Sequence, residues 1–268
     1  MESVIIIVLL ITLSYLLALD GRRGSEGLEE LKKYHYAHRG LHGDGVPENS
    51  MQAFEKAKQN GYGIELDVHL LKDGTLAVFH DNTLDRVTGI SGKVEALCKD
   101  DLKNIHLENT DETIPEFCEV LKLYDGAAPL VIELKPVAKN HAELASAVCR
   151  ALEGYDGAYC IESFDPRCLL WLKKNRPEII RGQLSQNFLK SNDKLSFPLK
   201  IVMTSLVTNF LTKPDFVAYN FKHRNELPVN ICQKLWGLAM VGWTIRDKNA
   251  HDQAVKDGWL SIFEHFKP

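Results

Sequence analysis

Eight short β-prone runs alternate with amphipathic helical stretches along residues 34–268, and this alternation limits the possible folds more than any other feature of the chain. The runs are Tyr34–His38, Gly63–Val68, Pro129–Lys135, Ala158–Phe164, Ile179–Leu184, Asp215–Tyr219, Ala239–Ile245 and Trp259–Phe263. Helical patterns such as Asn49–Gln59, Ala142–Leu152 and Pro166–Asn175 lie between them. Strands joined through helices pair in parallel, and eight such units match the count and size of a TIM (β/α)8 barrel. A doubly wound sheet is the runner-up, weakened by the absence of a GxGxxG turn after the first run. At 45% hydrophobic residues the chain can fill a barrel core, and a net charge of −4 sets up no field for a polyanion, so no nucleic-acid partner is expected.

Two segments fall outside the alternation. Val4 to Leu19 is uncharged, with only Glu2 before it, and predicts an N-terminal transmembrane helix within residues 1–20. Residues 21–33, rich in glycine, then read as a flexible tether. Arg22, Arg23, Lys32 and Lys33 follow the apolar run, which by the positive-inside rule makes the chain a single-pass, membrane-anchored protein with its barrel in the cytoplasm. Six scattered cysteines without CxxC spacing read as free thiols, in keeping with that compartment. The second segment, about 69–113, is an insertion after the second strand. It opens with Lys72-Asp73-Gly74-Thr75, a hairpin signal; a two-residue Asp73-Gly74 turn sets Leu70 opposite Ala77 and Asp67 opposite His80.

Strand alternation sorts the candidate chemistry. In the second run Ile64, Leu66 and Val68 share one face and Glu65 and Asp67 the other; in the third, Ile132 and Leu134 oppose Glu133 and Lys135. With the apolar faces toward the helices, Glu65, Asp67 and Glu133 converge inside the barrel near the C-terminal ends of their strands. Buried carboxylates that close need a cation, and oxygen-only ligands suit one divalent ion, Mg²⁺ or Ca²⁺, rather than zinc. His38 ends the first run and His80 follows the hairpin, two groups with ordinary pKa values near neutrality that can pass a proton to a leaving oxygen and take one from a nucleophile. Arg39 beside His38 can hold a phosphate through paired hydrogen bonds.

The segments Ala37-His38-Arg39-Gly40, Pro47–Ser50, Ile64–Gly74, Phe79-His80-Asp81, Gly92-Lys93-Val94, Ile114-Pro115, Ile132–Lys135 and Glu162–Pro166 together resemble the glycerophosphodiester phosphodiesterase family, from about Tyr34 to the C-terminus. The resemblance implies a TIM barrel with a small insertion after its second strand. The implied reaction is metal-dependent hydrolysis of small-molecule glycerophosphodiesters to glycerol 3-phosphate and an alcohol. Carried over motif by motif, it puts the catalytic pair on His38 and His80, the metal ligands on Glu65, Asp67 and Glu133, and phosphate contacts on Arg39 and Lys135. Trp243 matches a tryptophan common in the family that packs against glycerol. The family's Thr-Asp-x-Pro element on the last strand is replaced here by Phe263–Pro268, with Glu264 in place of the aspartate. Phospholipase D-type action on lysophospholipids or sphingomyelin, and an inactive membrane-tethered binding module, are the alternatives.

Overall fold

The computed structural model describes residues 1–268. Nine strands form one sheet: β1 Tyr36–His38, β2 Gly63–Leu70, β3 Leu76–Val78, β4 Leu130–Leu134, β5 Tyr159–Ser163, β6 Arg181–Ser185, β7 Phe216–Asn220, β8 Ala239–Ile245 and β9 Trp259–Phe263. All of them except β3 pair in parallel, in the order β1-β2-β4-β5-β6-β7-β8-β9, and β9 pairs back to β1. The sheet is therefore closed, an eight-stranded TIM barrel with β3 as an antiparallel extension of β2. Each of the eight expected runs becomes one barrel strand.

The barrel closes because each strand is apolar on its outer face. Ile64, Leu66, Val68, Leu130, Ile132, Leu134, Ile161 and Val217 are at most 1% exposed and pack under the surrounding helices. Truncating one of these to alanine should cost about 2–5 kcal/mol. The helices begin where caps allow. Ser50 Oγ accepts from Ala53 N–H at the start of Met51–Gln59, Asp165 caps Pro166–Asn175 with proline in its first turn, and Asp247 accepts from Ala250 N–H at Lys248–Lys256. Inside the barrel, Tyr36, Val131, Cys160, Phe216, Val241 and Ile262 fill the space below the mouth. Gly182 on β6 leaves room for the Phe216 ring, since a Cβ there would stand 2.1 Å from it.

Three expectations are corrected. The N-terminal helix, Glu2–Ala18, has 17 residues, and no helix is long and apolar enough to cross a membrane. At 1.5 Å per residue it reaches about 26 Å, less than the roughly 30 Å hydrocarbon layer. Its last turn is also committed to the barrel: Leu19 is fully buried, Tyr15 Oη donates to Ser205 C=O, and Trp236 Nε1 donates to Leu16 C=O.

Residues 21–33, expected as a tether, are packed onto the barrel instead. Arg22 donates through Nε and Nη2 to the buried Asp215 carboxylate at 2.6 and 2.7 Å, and Leu28 and Leu31 join the inner core.

The hairpin register is one residue off the expected one: His69 opposes Ala77 and Leu70 opposes Leu76. Only Gly74 of the turn has positive φ, +88°, and Leu71 and Thr75 close a three-residue loop, whereas a two-residue turn of the expected type needs two left-handed residues. The rest of the insertion carries its own small core of Leu71, Phe79, Leu84, Val87, Val94, Leu102 and Leu107.

Candidate active site

The C-terminal mouth of the barrel gathers the charged groups. Parallel register places His38 beside Glu65, Asp67 beside Glu133 and Glu133 beside Glu162. His38, Arg39, Glu65, His80, Glu133, Glu162, Phe164, Leu184, Trp243 and Ile262 line one cavity of about 50 Å³. The turn after β1 is tight: Arg39 and Gly40 both have positive φ, and a Cβ on Gly40 would stand 2.8 Å from Ala53, so glycine lets the histidine turn lie against the next helix.

Glu65, Asp67 and Glu133 are buried, and one oxygen from each falls within 4.8 Å of the others. Asn49 donates to Asp67 Oδ2 at 2.9 Å, the Arg39 backbone N–H donates to Glu65 at 3.1 Å, and Lys135 Nζ donates to Glu133 at 3.0 Å and lies 3.4 Å from Asp67. Arg39 reaches Glu48 at 2.8 Å and Asp67 at 3.5 Å. The two residues expected at a phosphate are thus beside the carboxylates, Arg39 on the cavity wall and Lys135 against Glu133 and Asp67.

Burial, reinforced by the charges of Asp67 and Glu133, pushes Glu65 well above the ordinary carboxylate range; Glu162 and Glu133 are also pushed up, burial being the main cause. Asp67 is the exception. Burial opposes its charge too, but Lys135, His80 and Arg39 outweigh that and hold its pKa low.

A hard dication fits this arrangement. Four buried carboxyl groups (Glu65, Asp67, Glu133, Glu162) stand beside only two cations (Arg39, Lys135), of which Arg39 is shared with Glu48, and this shortage of positive charge is what a dication would make good. Asp67 Oδ1 and Glu162 Oε2 are closed to water and accept no hydrogen bond. The three ligand atoms of the cluster are all carboxylate oxygens, as suits Mg²⁺ or Ca²⁺, and the nearest ring nitrogen, His38 Nε2, lies 3.9 Å from Glu65 Oε2.

Both histidines lean on a carboxylate through Nδ1. His38 Nδ1 is 2.6 Å from Glu264 Oε2, and His80 Nδ1 is 2.5 Å from Asp81 Oδ1. A carboxylate only accepts, so each Nδ1 carries a proton and Nε2 is the ring nitrogen left outside that pairing. Burial lowers the His38 pKa to about 4 against the opposing pull of Glu264, so its imidazole is neutral at pH 7. Asp81 is held low by His80 and Arg86 in spite of its burial. Trp243 stands on the cavity wall, edge-on to Phe164 at 5.5 Å between centroids, with an Nε1–H that has no acceptor.

Three participants were not singled out from the sequence as site residues. Glu162 follows the alternation already used for Glu133 and was legible in Ile161-Glu162-Ser163. Asp81 adjoins His80 within its motif, and Glu264 was seen only as a substitution, its contact with His38 being 226 residues distant in the chain.

Comparison with known proteins shows the family and the fold. Residues 38–266 match the model of the glycerophosphoryl diester phosphodiesterase family. A glycerophosphodiester phosphodiesterase of Bacillus altitudinis is 34% identical over 169 residues, 59% of this chain and 69% of that protein. One from Caldanaerobacter subterraneus subsp. tengcongensis is 35% identical over 160 residues, 56% of this chain and 65% of that protein. The matched stretch thus spans about two thirds of these relatives. Among solved structures, an Oleispira antarctica phosphodiesterase in complex with its product sn-glycerol-3-phosphate superposes with a TM-score of 0.73 at 24% identity, covering 91% of this chain and 95% of that one. A Thermotoga maritima glycerophosphodiester phosphodiesterase gives 0.66 at 23% identity, covering 86% and 93%. At these identities the structures speak for the barrel fold, and the match over residues 38–266 speaks for descent. The chain belongs to the glycerophosphoryl diester phosphodiesterase family.

Proposed function

We propose that this chain hydrolyses small glycerophosphodiesters to glycerol 3-phosphate and an alcohol, with His38 and His80 as its proton-transfer groups. The observation that carries the reading is the convergence of two carboxylate-held histidines and three buried acidic residues on one cavity. Glu65, Asp67 and Glu133 would hold one Mg²⁺ or Ca²⁺, which when bound supplies Lewis-acid polarisation of a phosphoryl oxygen.

The chain's own residues do the rest. His38 Nε2, unprotonated and set deep in the mouth, accepts the proton of the attacking hydroxyl, from water or from the substrate's own glycerol. As the new P–O bond forms and the bond to the alcohol breaks, His80, at 30% exposure the more open of the two and acting in its doubly protonated form, gives its Nε2 proton to the departing oxygen. Glu264 and Asp81 each hold an Nδ1–H, so that Nε2 is the working nitrogen of both rings. Arg39 and Lys135 offset the phosphate charge that would otherwise add to an acidic cluster. Trp243 offers its ring face to glycerol and its free N–H to an oxygen. The six cysteines are unpaired, four of them buried, which supports a reducing, cytoplasmic setting for the barrel.

A specific observation favours a second substrate class. A groove of about 680 Å³ lined by Phe164, Phe188, Leu195, Leu199, Val202 and Met203 adjoins the cavity through Phe164. Such a groove suits the single acyl chain of a lysophospholipid. Glycerol 3-phosphate release from glycerophosphocholine and glycerophosphoethanolamine, with EDTA and then with added Mg²⁺ or Ca²⁺, tests the main reading. Activity lost to the chelator and restored by one ion supports it. Silence with every ion from a folded protein refutes it, and lysophosphatidylcholine in parallel decides the second.

A further inference from the structure

Glu264 is shared among more partners than its pairing with His38 needs. Its Oε2 lies 2.6 Å from His38 Nδ1 and 3.8 Å from His42 Nε2, and its Oε1 lies 2.5 Å from Arg246 Nε and 3.5 Å from His265 Nε2. The donor atoms of His38, His42 and Glu264 fall within 4.8 Å of one another, in a group that shares no ligand with the carboxylate cluster and meets it only where His38 Nε2 lies 3.9 Å from Glu65. His42 supplies an independent sign. Its Nε2 is closed to solvent and has no hydrogen-bond partner, although it points at a carboxylate just out of reach. A buried imidazole nitrogen left without a partner is costly unless something else meets it.

We propose that His38, His42 and Glu264 form a second cation site, selective for zinc, and that an ion there inhibits the enzyme. Two imidazole nitrogens and one carboxylate oxygen suit a borderline ion such as Zn²⁺, whereas the oxygen-only cluster of Glu65, Asp67 and Glu133 suits Mg²⁺ or Ca²⁺. With Zn–N and Zn–O distances of about 2.0–2.2 Å, tetrahedral ligand atoms stand roughly 3.3 Å apart. The 2.6 Å pair therefore opens slightly and the 3.8 Å pair closes by a similar amount. His265, exposed and next to Glu264, is placed to serve as the fourth ligand. Arg246 opposes the ion but is half-exposed and can turn to solvent, which makes the binding reversible rather than structural.

Inhibition follows from the tautomer. An ion on His38 Nδ1 takes the lone pair there: the Nδ1 proton leaves to water and Nε2 takes one from water, so the ring's single proton sits on the nitrogen that the reaction needs as an acceptor. No net proton is lost and no bond to substrate changes; the base is locked in its wrong form. The binding claim stands on geometry alone, and only this inhibition rests on the function proposed above.

The test uses the full chain with excess Mg²⁺, so that the carboxylate cluster is filled by the hard ion. Titration with Co²⁺ should give the intense visible bands of a four-coordinate site at one equivalent, bleached by added Zn²⁺. The bands should vanish in Glu264→Gln and weaken in His42→Asn, with Co²⁺ affinity falling at least ~10-fold, while Glu133→Gln keeps them. Zinc inhibition, taken relative to each protein's own zinc-free rate, should need at least ~10-fold more Zn²⁺ in His42→Asn. Absence of the bands in Mg²⁺-saturated wild type, bands of unchanged strength and affinity in a folded His42→Asn, or their loss in a folded Glu133→Gln would each overturn the proposal. Bands of the expected kind in a protein without diesterase activity would support the site and refute the proposed function.

Discussion

The two sides of the barrel mouth are built by opposite rules. From β1 to β5 the wall is made of buried charge: Glu65, Asp67, Glu133 and Glu162 against Arg39 and Lys135, with Asn49 donating to Asp67. From β5 round to β8 it is apolar: Phe164, Leu184 and Trp243 at the cavity, then Phe188, Leu199 and Val202 in the adjoining groove. Charge can be buried only where every partner is placed, so the first side tolerates little change. An apolar wall asks only for volume and can be reshaped by swaps of similar size. On the proposed function, the first side would set the reaction and the second would set which alcohol or chain accompanies the phosphate.

The largest effect that would break this contrast is loss of the cation. Chelation should reduce diester hydrolysis to background, with recovery on added Mg²⁺ or Ca²⁺ in wild type and none in Asp67→Asn, as read by glycerol 3-phosphate release. Next comes His38→Ala, which should lower turnover by about 10²–10⁴-fold while the circular dichroism spectrum stays native. Near-normal turnover in the folded variant would remove His38 from the mechanism. On the apolar side, Leu199→Asp should lower the rate on lysophosphatidylcholine about ten-fold, one aliphatic contact being worth roughly 1.5 kcal/mol or more, and leave glycerophosphocholine unaffected. Equal losses on both substrates would mean that the groove does not separate them.

The layer between β9 and the helix Lys248–Lys256 supplies the smallest effect and a control. There His35 and His251 pack edge-on at 4.7 Å and flank Ser261. Burial lowers both pKa values, with His251 adding to the effect at His35. In the unfolded chain they titrate near 6.5 and bind protons first, so this part of the stability is present at higher pH and is lost as pH falls below about 6.5 toward the folded values. The urea midpoint should drop between pH 7.5 and 5.5, by less in His251→Gln than in wild type. An identical drop in both would show that these histidines do not contribute.

Much of this contrast was legible in the sequence on the charged side and little of it on the other. Period-two alternation placed Glu65, Asp67 and Glu133 on the inner face because each lies between residues that must face helices. The same logic applied to β5 would have found Glu162. Glu264 and its contact with His38 could not be read, because only the closing of β9 onto β1 brings those ends of the chain together. The hairpin register was misread because Asp-Gly serves both two- and three-residue turns, and the choice lies in one φ angle. The apolar N-terminal run and the segment after it were misread for a related reason. Hydropathy describes what a stretch avoids and says nothing of where the chain folds back, and here it folds back at Leu19 onto the barrel.

The most direct test of the central claim is the identity of the product formed from glycerophosphocholine by the cation-loaded full chain, followed by phosphorus NMR beside His38→Ala. The account predicts glycerol 3-phosphate with an equal amount of choline, and an almost unchanged substrate signal in the variant. Phosphocholine with free glycerol, or the same rate in both proteins, would contradict it.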